Sequence, residues 1–123
     1  MAPLSILVVE DDALIGMLLS EMLGEMGFTV CAVATTEDDA VACASLHQPG
    51  LMLVDQYLKQ GNGISAAQRI SQSSSVPCVF MTGAVSGAME GRQILQKPFL
   101  EADLIRAIRL ATGLTASPNP QPS

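Results

Sequence analysis

The sequence predicts an α/β domain in which a parallel β-sheet is covered by helices on both faces. Short apolar runs, which indicate strands, alternate with segments of helical periodicity five times along the chain. The runs at residues 6–9 and 51–54 contain no polar residue, as is typical of strands buried on both faces. This alternation implies right-handed crossovers and therefore a three-layer, doubly wound fold with a five-stranded sheet.

The first two strands and the helix between them follow from local patterns. Residues 6–9 form the first strand, and apolar residues at helical spacing follow it. Asp12 is a better N-cap for this helix than a ligand, and Gly27 is expected to end it. Residues 29–33 are rich in β-branched side chains, which predicts the second strand.

The next helix and the central strand bring a carboxylate to the edge of the sheet. Thr36 is placed to cap a helix that runs to about residue 46, with three acidic residues in its first turn, where the helix dipole favours them. Residues 51–54 form the third strand, and Asp55 lies at its carboxyl end. Ligands of open α/β sheets bind at that edge, so Asp55 is a candidate site residue.

The second half of the chain predicts two more strands and two more helices. They are a helix at 64–71, a strand at 76–81, a strand at 94–96 and a helix at 101–112. Asn62 or Gly63 opens the first of these helices. The helical signal of residues 83–91 is weak because they are rich in Gly and Ala, so we expect a shortened or irregular fourth crossover helix. Residues 1–114 form the predicted domain, and residues 115–123 are a Pro-rich tail that we expect to be disordered.

Composition and charge narrow the classes of function. Nine of the twelve acidic residues lie at or before Asp55, and all six lysines and arginines follow it. Without a basic patch, nucleic acid is not an expected partner. The apolar run at 13–19 is too short to cross a bilayer, and no signal peptide is recognisable. Three cysteines without metal-ligand spacing are expected to be buried and reduced, so we expect a cytoplasmic protein: Cys31, Cys43 and Cys78.

Polar residues follow four of the predicted strands. Glu10 and Asp11 follow the first, Asp55 the third, Thr82 the fourth and Lys97 the fifth. The carboxyl ends of parallel strands meet at one edge, so these groups should share a cleft. Crowded carboxylates repel one another, and a hard cation such as Mg²⁺ relieves that repulsion. A carboxylate beside Mg²⁺, a hydroxyl and a lysine has the surroundings of a phosphoryl acceptor.

The chain resembles the receiver domain of two-component response regulators over about residues 4–112. Four pieces in chain order carry the resemblance: Ile6-Leu7-Val8-Val9-Glu10-Asp11, Leu53-Val54-Asp55 with Gly63 eight residues on, Met81-Thr82-Gly83, and Lys97-Pro98-Phe99. Each piece is weak alone, but each ends a predicted strand. The family has the flavodoxin-like sheet order 2-1-3-4-5.

The resemblance also implies a cofactor and a donor. Asp55 would accept a phosphoryl group from a histidine kinase or a histidine phosphotransfer protein. Mg²⁺ would be bound by Asp55, by Asp11 directly, by Glu10 through water and by the backbone carbonyl of Tyr57. The side chain of Tyr57 could either gate access of water or only cover the loop.

Two further residues would contact the phosphoryl group by the same resemblance. Thr82 would hydrogen-bond it and reposition on activation, and Lys97 would pair with its oxygens. The Lys97–Pro98 peptide would be cis.

Departures from the family pattern point to one branch of it. Lys59 stands where the family usually has Pro, and Ile94 stands where many members have an aromatic switch residue. The segment between Thr82 and Lys97 is short, as in the receivers associated with HWE-type histidine kinases, although Ala84 replaces a Tyr common in that branch. We therefore expect activation to remodel residues 83–91 rather than to move an aromatic gate.

Other functions fit less well. A phosphatase of the haloacid dehalogenase type needs a second Asp two residues after the first, where Tyr57 stands. A flavodoxin-like cofactor site needs a phosphate-binding loop after the first strand, which is missing. A phosphorylation-independent binding module is the remaining alternative; the complete set of acids, Thr82 and Lys97 argues against it.

We expect a signalling protein rather than an enzyme, with no output domain of its own. It could be a stand-alone regulator, a phosphate sink or the receiver segment of a hybrid kinase, and the sequence leaves these three open. Arg92, Arg106 and Arg109 lie near the fifth strand and the last helix. A partner or a second copy of the chain is expected to dock on that face.

Overall fold

A computed structural model describes residues 3–83 and 92–113, and these form five strands and four helices. The strands are β1 (Ser5–Val9), β2 (Thr29–Ala34), β3 (Leu51–Asp55), β4 (Cys78–Thr82) and β5 (Gln93–Gln96). The helices are α1 (Ala13–Glu25), α2 (Glu37–His47), α3 (Gly63–Ser71) and α4 (Glu101–Thr112). The predicted α/β class is therefore confirmed.

The sheet is parallel throughout and has the order β2-β1-β3-β4-β5. This confirms the predicted topology. The central strand β3 lies between β1 and β4, and all five of its residues are buried. A strand covered on both faces is apolar where it lies inside the core, which explains the continuous apolar run of residues 51–54. Asp55 follows this run at the carboxyl end of the strand.

Two hydrophobic clusters, one on each face of the sheet, form the core. Alternate residues of β1 and β3 point into each cluster, as the twofold repeat of a strand requires. One cluster joins the sheet to α1 and α4 through Ile6, Val8, Leu19, Leu23, Leu53, Leu104 and Ile108. The other joins it to α2 and α3 through Leu7, Val9, Ala40, Ala44, Val54, Ala66 and Ile70. The two layers hold the carboxyl ends of the strands at a common edge.

The helix starts follow the predicted capping residues. Asp12 is the N-cap of α1, where its carboxylate accepts hydrogen bonds from the backbone N–H groups of Leu14 and Ile15. Thr36 caps α2 in the same way, and Asn62 caps α3, which begins at Gly63. These bonds satisfy N–H groups that have no partner within the helix.

Some predicted boundaries and burials were wrong. The fourth strand begins at Cys78 rather than at residue 76 and extends to Thr82. Pro77 has no N–H to donate to a neighbouring strand, so regular pairing starts one residue later. The carbonyl of Pro77 still accepts a hydrogen bond from the backbone N–H of Met52. Cys31, Cys43 and Cys78 are free thiols, as predicted, but they are only partly buried. Desolvation nevertheless raises the pKa of Cys78 to about 12, which favours the protonated thiol over the thiolate near neutral pH.

The apolar residues of α1 do not all face the core. Leu19 and Leu23 are buried, whereas Leu14, Met17 and Leu18 are more than half exposed. Periodicity identifies this helix, but it is apolar on more than one face, so the pattern does not show which face is buried.

Several predictions fall on residues outside the described ranges. They are the shortened fourth crossover helix, the remodelling of residues 83–91, of which only Gly83 is described, and the disordered tail at 115–123. In the ranges that are described, none of the helices has both the length and the apolar character that crossing a membrane requires.

Candidate functional site

Three carboxylates meet at the carboxyl edge of the sheet. Glu10 and Asp11 directly follow β1, and Asp55 is the last residue of β3. One oxygen from each lies within 4.8 Å of the other two. Glu10 is 1% exposed and Asp55 8% exposed, so both carboxylates are largely removed from water. The parallel pairing of β1 with β3 brings these residues together, as the strand-end pattern predicts.

The crowding of these acids has an electrostatic cost. Burial, hydrogen bonding to Asp55 and repulsion from its charge, in that order, raise the pKa of Glu10 to about 7. Attraction to Lys97 and a hydrogen bond from the backbone N–H of Asp12 act in the opposite direction. Three clustered carboxylate oxygen donors whose repulsion is only partly relieved are a donor set that a hard divalent cation prefers, so the residues present fit Mg²⁺.

Lys97 reaches into the cleft from the end of β5. Its Nζ lies 3.2 Å from Oδ2 of Asp55 and 3.5 Å from Oε1 of Glu10. Burial lowers the pKa of Lys97, but attraction to Asp55 and Glu10 outweighs that effect and raises it overall, so the side chain remains an ammonium. Its backbone N–H donates to the carbonyl of Thr82 (2.7 Å), and its peptide bond with Pro98 is cis.

Thr82 ends β4 and is bonded to a residue that the sequence did not single out. Its hydroxyl donates a 2.7 Å hydrogen bond to Oε1 of Gln56. Thr82 is 1% exposed and Gln56 3% exposed. In the sequence, the only feature that could have pointed to Gln56 is its position directly after Asp55, at the carboxyl end of the central strand.

The loop after Asp55 holds two of the acids with backbone N–H groups. The N–H of Tyr57 donates to Oδ1 of Asp55 (3.2 Å), and the N–H of Lys59 donates to Oδ2 of Asp11 (2.8 Å). A proline at position 59 would lack this second donor. Tyr57 is 61% exposed, and Tyr57 and Lys59 both contact these acids through the backbone.

Glu37, at the start of α2, anchors the far end of the same loop. Its carboxylate accepts hydrogen bonds from the backbone N–H of Asn62 (3.0 Å), from Oγ of Ser65 (2.8 Å) and from the guanidinium of Arg69 (3.0 Å). Its backbone N–H donates to the carbonyl of Gln60. The sequence identified Glu37 only as an acid in a first helical turn, because nothing local indicates partners 25 to 32 residues away.

We expect Glu37→Gln to lower the melting temperature by several degrees at neutral pH. Hydrogen bonds from Ser65, Arg69 and Asn62 lower the pKa of Glu37 below its ordinary value of 4.5. A lowered pKa in the folded state gives stability that is present above the unfolded-state value and is lost as the pH falls through the folded-state value. The difference between wild type and variant should therefore shrink below about pH 4.5 in thermal melts followed by circular dichroism.

Asp38→Asn is the matched control for this change. Asp38 also pairs with Arg69 (2.8 Å), but its side chain is 89% exposed, and ion pairs between exposed groups contribute little. We expect its melting temperature to stay near that of the wild type. Equal melting temperatures for the two variants would show that Glu37 does not anchor the loop.

Comparison with known proteins identifies the family. The family described as response regulator receiver domain matches residues 6–109. The chain belongs to this family. Receiver domains are signalling domains of two-component systems, in which they interact with kinases or phosphotransfer proteins, and they bind Mg²⁺ at an acidic pocket.

Among curated proteins, the receiver domain is similar to the transcriptional regulatory protein PdtaR of Mycobacterium tuberculosis. The two are 38% identical over 118 residues, which cover 90% of this chain and 58% of PdtaR. The chain thus spans little more than half the length of that relative.

Solved structures share the fold. The receiver domain of PhyR from Erythrobacter litoralis superposes with a TM-score of 0.83 at 28% identity and covers 98% of each chain. The receiver domain of the sensor histidine kinase PA1611 from Pseudomonas aeruginosa gives 0.80 at 29% identity, covering 91% of this chain and 99% of that one. In the PA1611 structure a magnesium ion is coordinated in the active-site cleft.

Proposed function

We propose that this receiver domain accepts a phosphoryl group on Asp55 from the phosphohistidine of a histidine kinase or a histidine phosphotransfer protein. The observation that carries the proposal is the acceptor cleft, in which oxygens of Glu10, Asp11 and Asp55 lie within 4.8 Å of one another and the Lys97 ammonium lies 3.2 Å from Asp55. A carboxylate nucleophile needs neutralising charge for the incoming phosphoryl oxygens, and this cleft supplies it.

Asp55 is the best placed of the three acids to act as the nucleophile. The side chain of Glu10 is 1% exposed, whereas that of Asp55 is 11% exposed and can be reached by a donor on another protein. Asp11 accepts a bond from the backbone N–H of Lys59 and is not paired with Lys97 in the described contacts. A carboxylate oxygen of Asp55 would form the P–O bond as the P–N bond of the phosphohistidine breaks, and the imidazole would leave with the electron pair.

The remaining residues would support this transfer. Lys97 would pair with the phosphoryl oxygens, and the hydroxyl of Thr82 would donate to one of them. Glu10 through water, Asp11, Asp55 and the Tyr57 carbonyl would hold Mg²⁺. When bound, Mg²⁺ would neutralise charge on the acids and on the phosphoryl group.

The proposed role is signalling in the cytoplasm, in which this domain takes part in its own phosphorylation and dephosphorylation. The small number of residues between Thr82 and Lys97, the Thr-Gly sequence after β4 and the Leu-Gln-Lys-Pro-Phe sequence before α4 support a donor of the HWE type. A groove of about 370 Å³ between β5 and α4, lined in part by Arg106 and Leu110, is the proposed docking face for a partner or a second copy. Light scattering before and after phosphorylation would test the second copy, and a monomer in both states would exclude it.

Intact-mass spectrometry tests the proposed acceptor directly. After incubation with acetyl phosphate and Mg²⁺, wild-type protein should gain the mass of one phosphoryl group. Asp55→Asn should gain none, because an amide is not a competent nucleophile, and EDTA should abolish the gain in the wild type. Asp38→Asn, a matched change at an exposed acid on α2, should leave the gain intact.

Each negative result of this experiment leads to a different conclusion about the acceptor. No adduct together with no Mg²⁺ binding would favour the phosphorylation-independent binding module. No adduct with normal Mg²⁺ binding would require the kinase itself as the phosphoryl donor. An adduct that persists in Asp55→Asn would show that a different residue is the acceptor.

A further inference from the structure

The side chain of Gln56 lies one residue after the proposed acceptor and contacts another proposed site residue. Its Oε1 accepts the 2.7 Å hydrogen bond from the Thr82 hydroxyl, and both residues are almost completely buried. Asp55 pairs with Met81 in the register of β3 and β4, so the next residues along, Gln56 and Thr82, face each other at the mouth of the sheet.

The backbones of both residues are fixed by their neighbours. The N–H of Gln56 donates to the carbonyl of Met81, and its carbonyl accepts from the N–H of Gly63, both at 2.9 Å. The carbonyl of Thr82 accepts from the N–H of Lys97 at 2.7 Å. Because three main-chain bonds hold the two residues in place, the hydrogen bond between their side chains can change by side-chain rotation without moving either strand.

We propose that Gln56 is a positioning residue that holds the Thr82 hydroxyl in the unphosphorylated protein and opposes its transfer to the phosphoryl group. A hydroxyl has one hydrogen to donate, so the hydrogen given to Gln56 is not available to a phosphoryl oxygen. The phosphorylated state must break the Gln56–Thr82 bond before Thr82 can contact the phosphoryl group. This inference rests on the proposed acceptor function of Asp55. It means that Gln56 favours the unphosphorylated conformation over the phosphorylated one.

Gln56→Met tests the role, since methionine has a similar length and flexibility but a much weaker acceptor. With Mg²⁺ present, we expect the variant to bind beryllofluoride, a non-covalent mimic of the phosphoryl group, about fivefold more tightly than the wild type, as measured by calorimetry. A gain in affinity is diagnostic, because a variant that is merely destabilised would lose affinity. Circular dichroism would verify folding, and Gln56→Leu repeats the test if the methionine variant does not fold.

Thr82→Val shows whether Gln56 acts through Thr82. Valine keeps the shape of threonine but has no hydroxyl, so Gln56→Met should change beryllofluoride affinity by less than twofold in that background. An unchanged or weaker affinity in the single variant would overturn the inference, and so would an equal gain in the Thr82→Val background. If the wild type binds neither Mg²⁺ nor beryllofluoride and forms no adduct, the proposed acceptor function fails; if only the effect of Gln56 is missing, that function stands.

Discussion

Replacing Lys97 by methionine is expected to slow phosphorylation of Asp55 by acetyl phosphate on the order of 10²-fold. The ammonium lies 3.2 Å from Asp55 and 3.5 Å from Glu10, two carboxylates whose side chains are only 11% and 1% exposed. A fixed positive charge in such a place stabilises the negative phosphoryl oxygens more than it would in water. Methionine keeps most of the chain length and removes the charge together with the hydrogen bonds that Nζ donates to Glu10 and Asp55, so the rate of adduct formation measured by intact mass reports the ammonium group as a whole.

Lys59→Met is the matched control for Lys97→Met. Lys59 is exposed, and its contact with Asp11 is made by the backbone N–H, which methionine retains. Its phosphorylation rate should remain within a factor of two of the wild type. If the two variants react equally fast, the ammonium of Lys97 does not assist transfer, and its contacts with Asp55 and Glu10 are structural.

Gly63→Ala is expected to destabilise the protein by roughly 3 kcal/mol, at the upper end of what overpacking costs. A Cβ on residue 63 would overlap the carbonyl oxygen of Asp55 and would lie 2.7 Å from a methyl group of Val54. The N–H of Gly63 also donates to the carbonyl of Gln56, so the start of α3 is held against the end of β3. The Asp55 carbonyl belongs to the main chain of β3, and the Val54 side chain is buried in the core, so neither group can move aside cheaply.

Urea unfolding would measure the loss, with Gly24→Ala as the control. Gly24 lies in α1, and a Cβ there would meet no atom within 4 Å, so alanine should stabilise the helix by roughly 0.5–1 kcal/mol. Similar stabilities for the two variants would show that α3 can shift away from Asp55. In that case, the phosphorylation rate of the folded protein should be compared with that of the wild type. A changed rate would show that Asp55 moves together with α3.

The sequence by itself determined the fold class and the members of the acidic cleft. Buried parallel strands must be apolar from end to end, so β1 and β3 are readable from local composition. Parallel strands bring their carboxyl ends to one edge, so the polar residues that follow them could be grouped without coordinates. Asp12 as a helix cap was also predictable, because capping depends on residues only two or three positions away.

Only the tertiary structure decided which side chains and main-chain groups support that cleft. The Gln56–Thr82 bond, the anchoring of the loop by Glu37 and the bond from Lys59 to Asp11 join residues 25 to 48 positions apart. Such contacts depend on strand register and on the path of a loop, and neither leaves a periodic signal in the sequence. The buried face of α1 was undecided for a related reason, since a helix that is apolar on several sides gains its orientation from the sheet against which it packs.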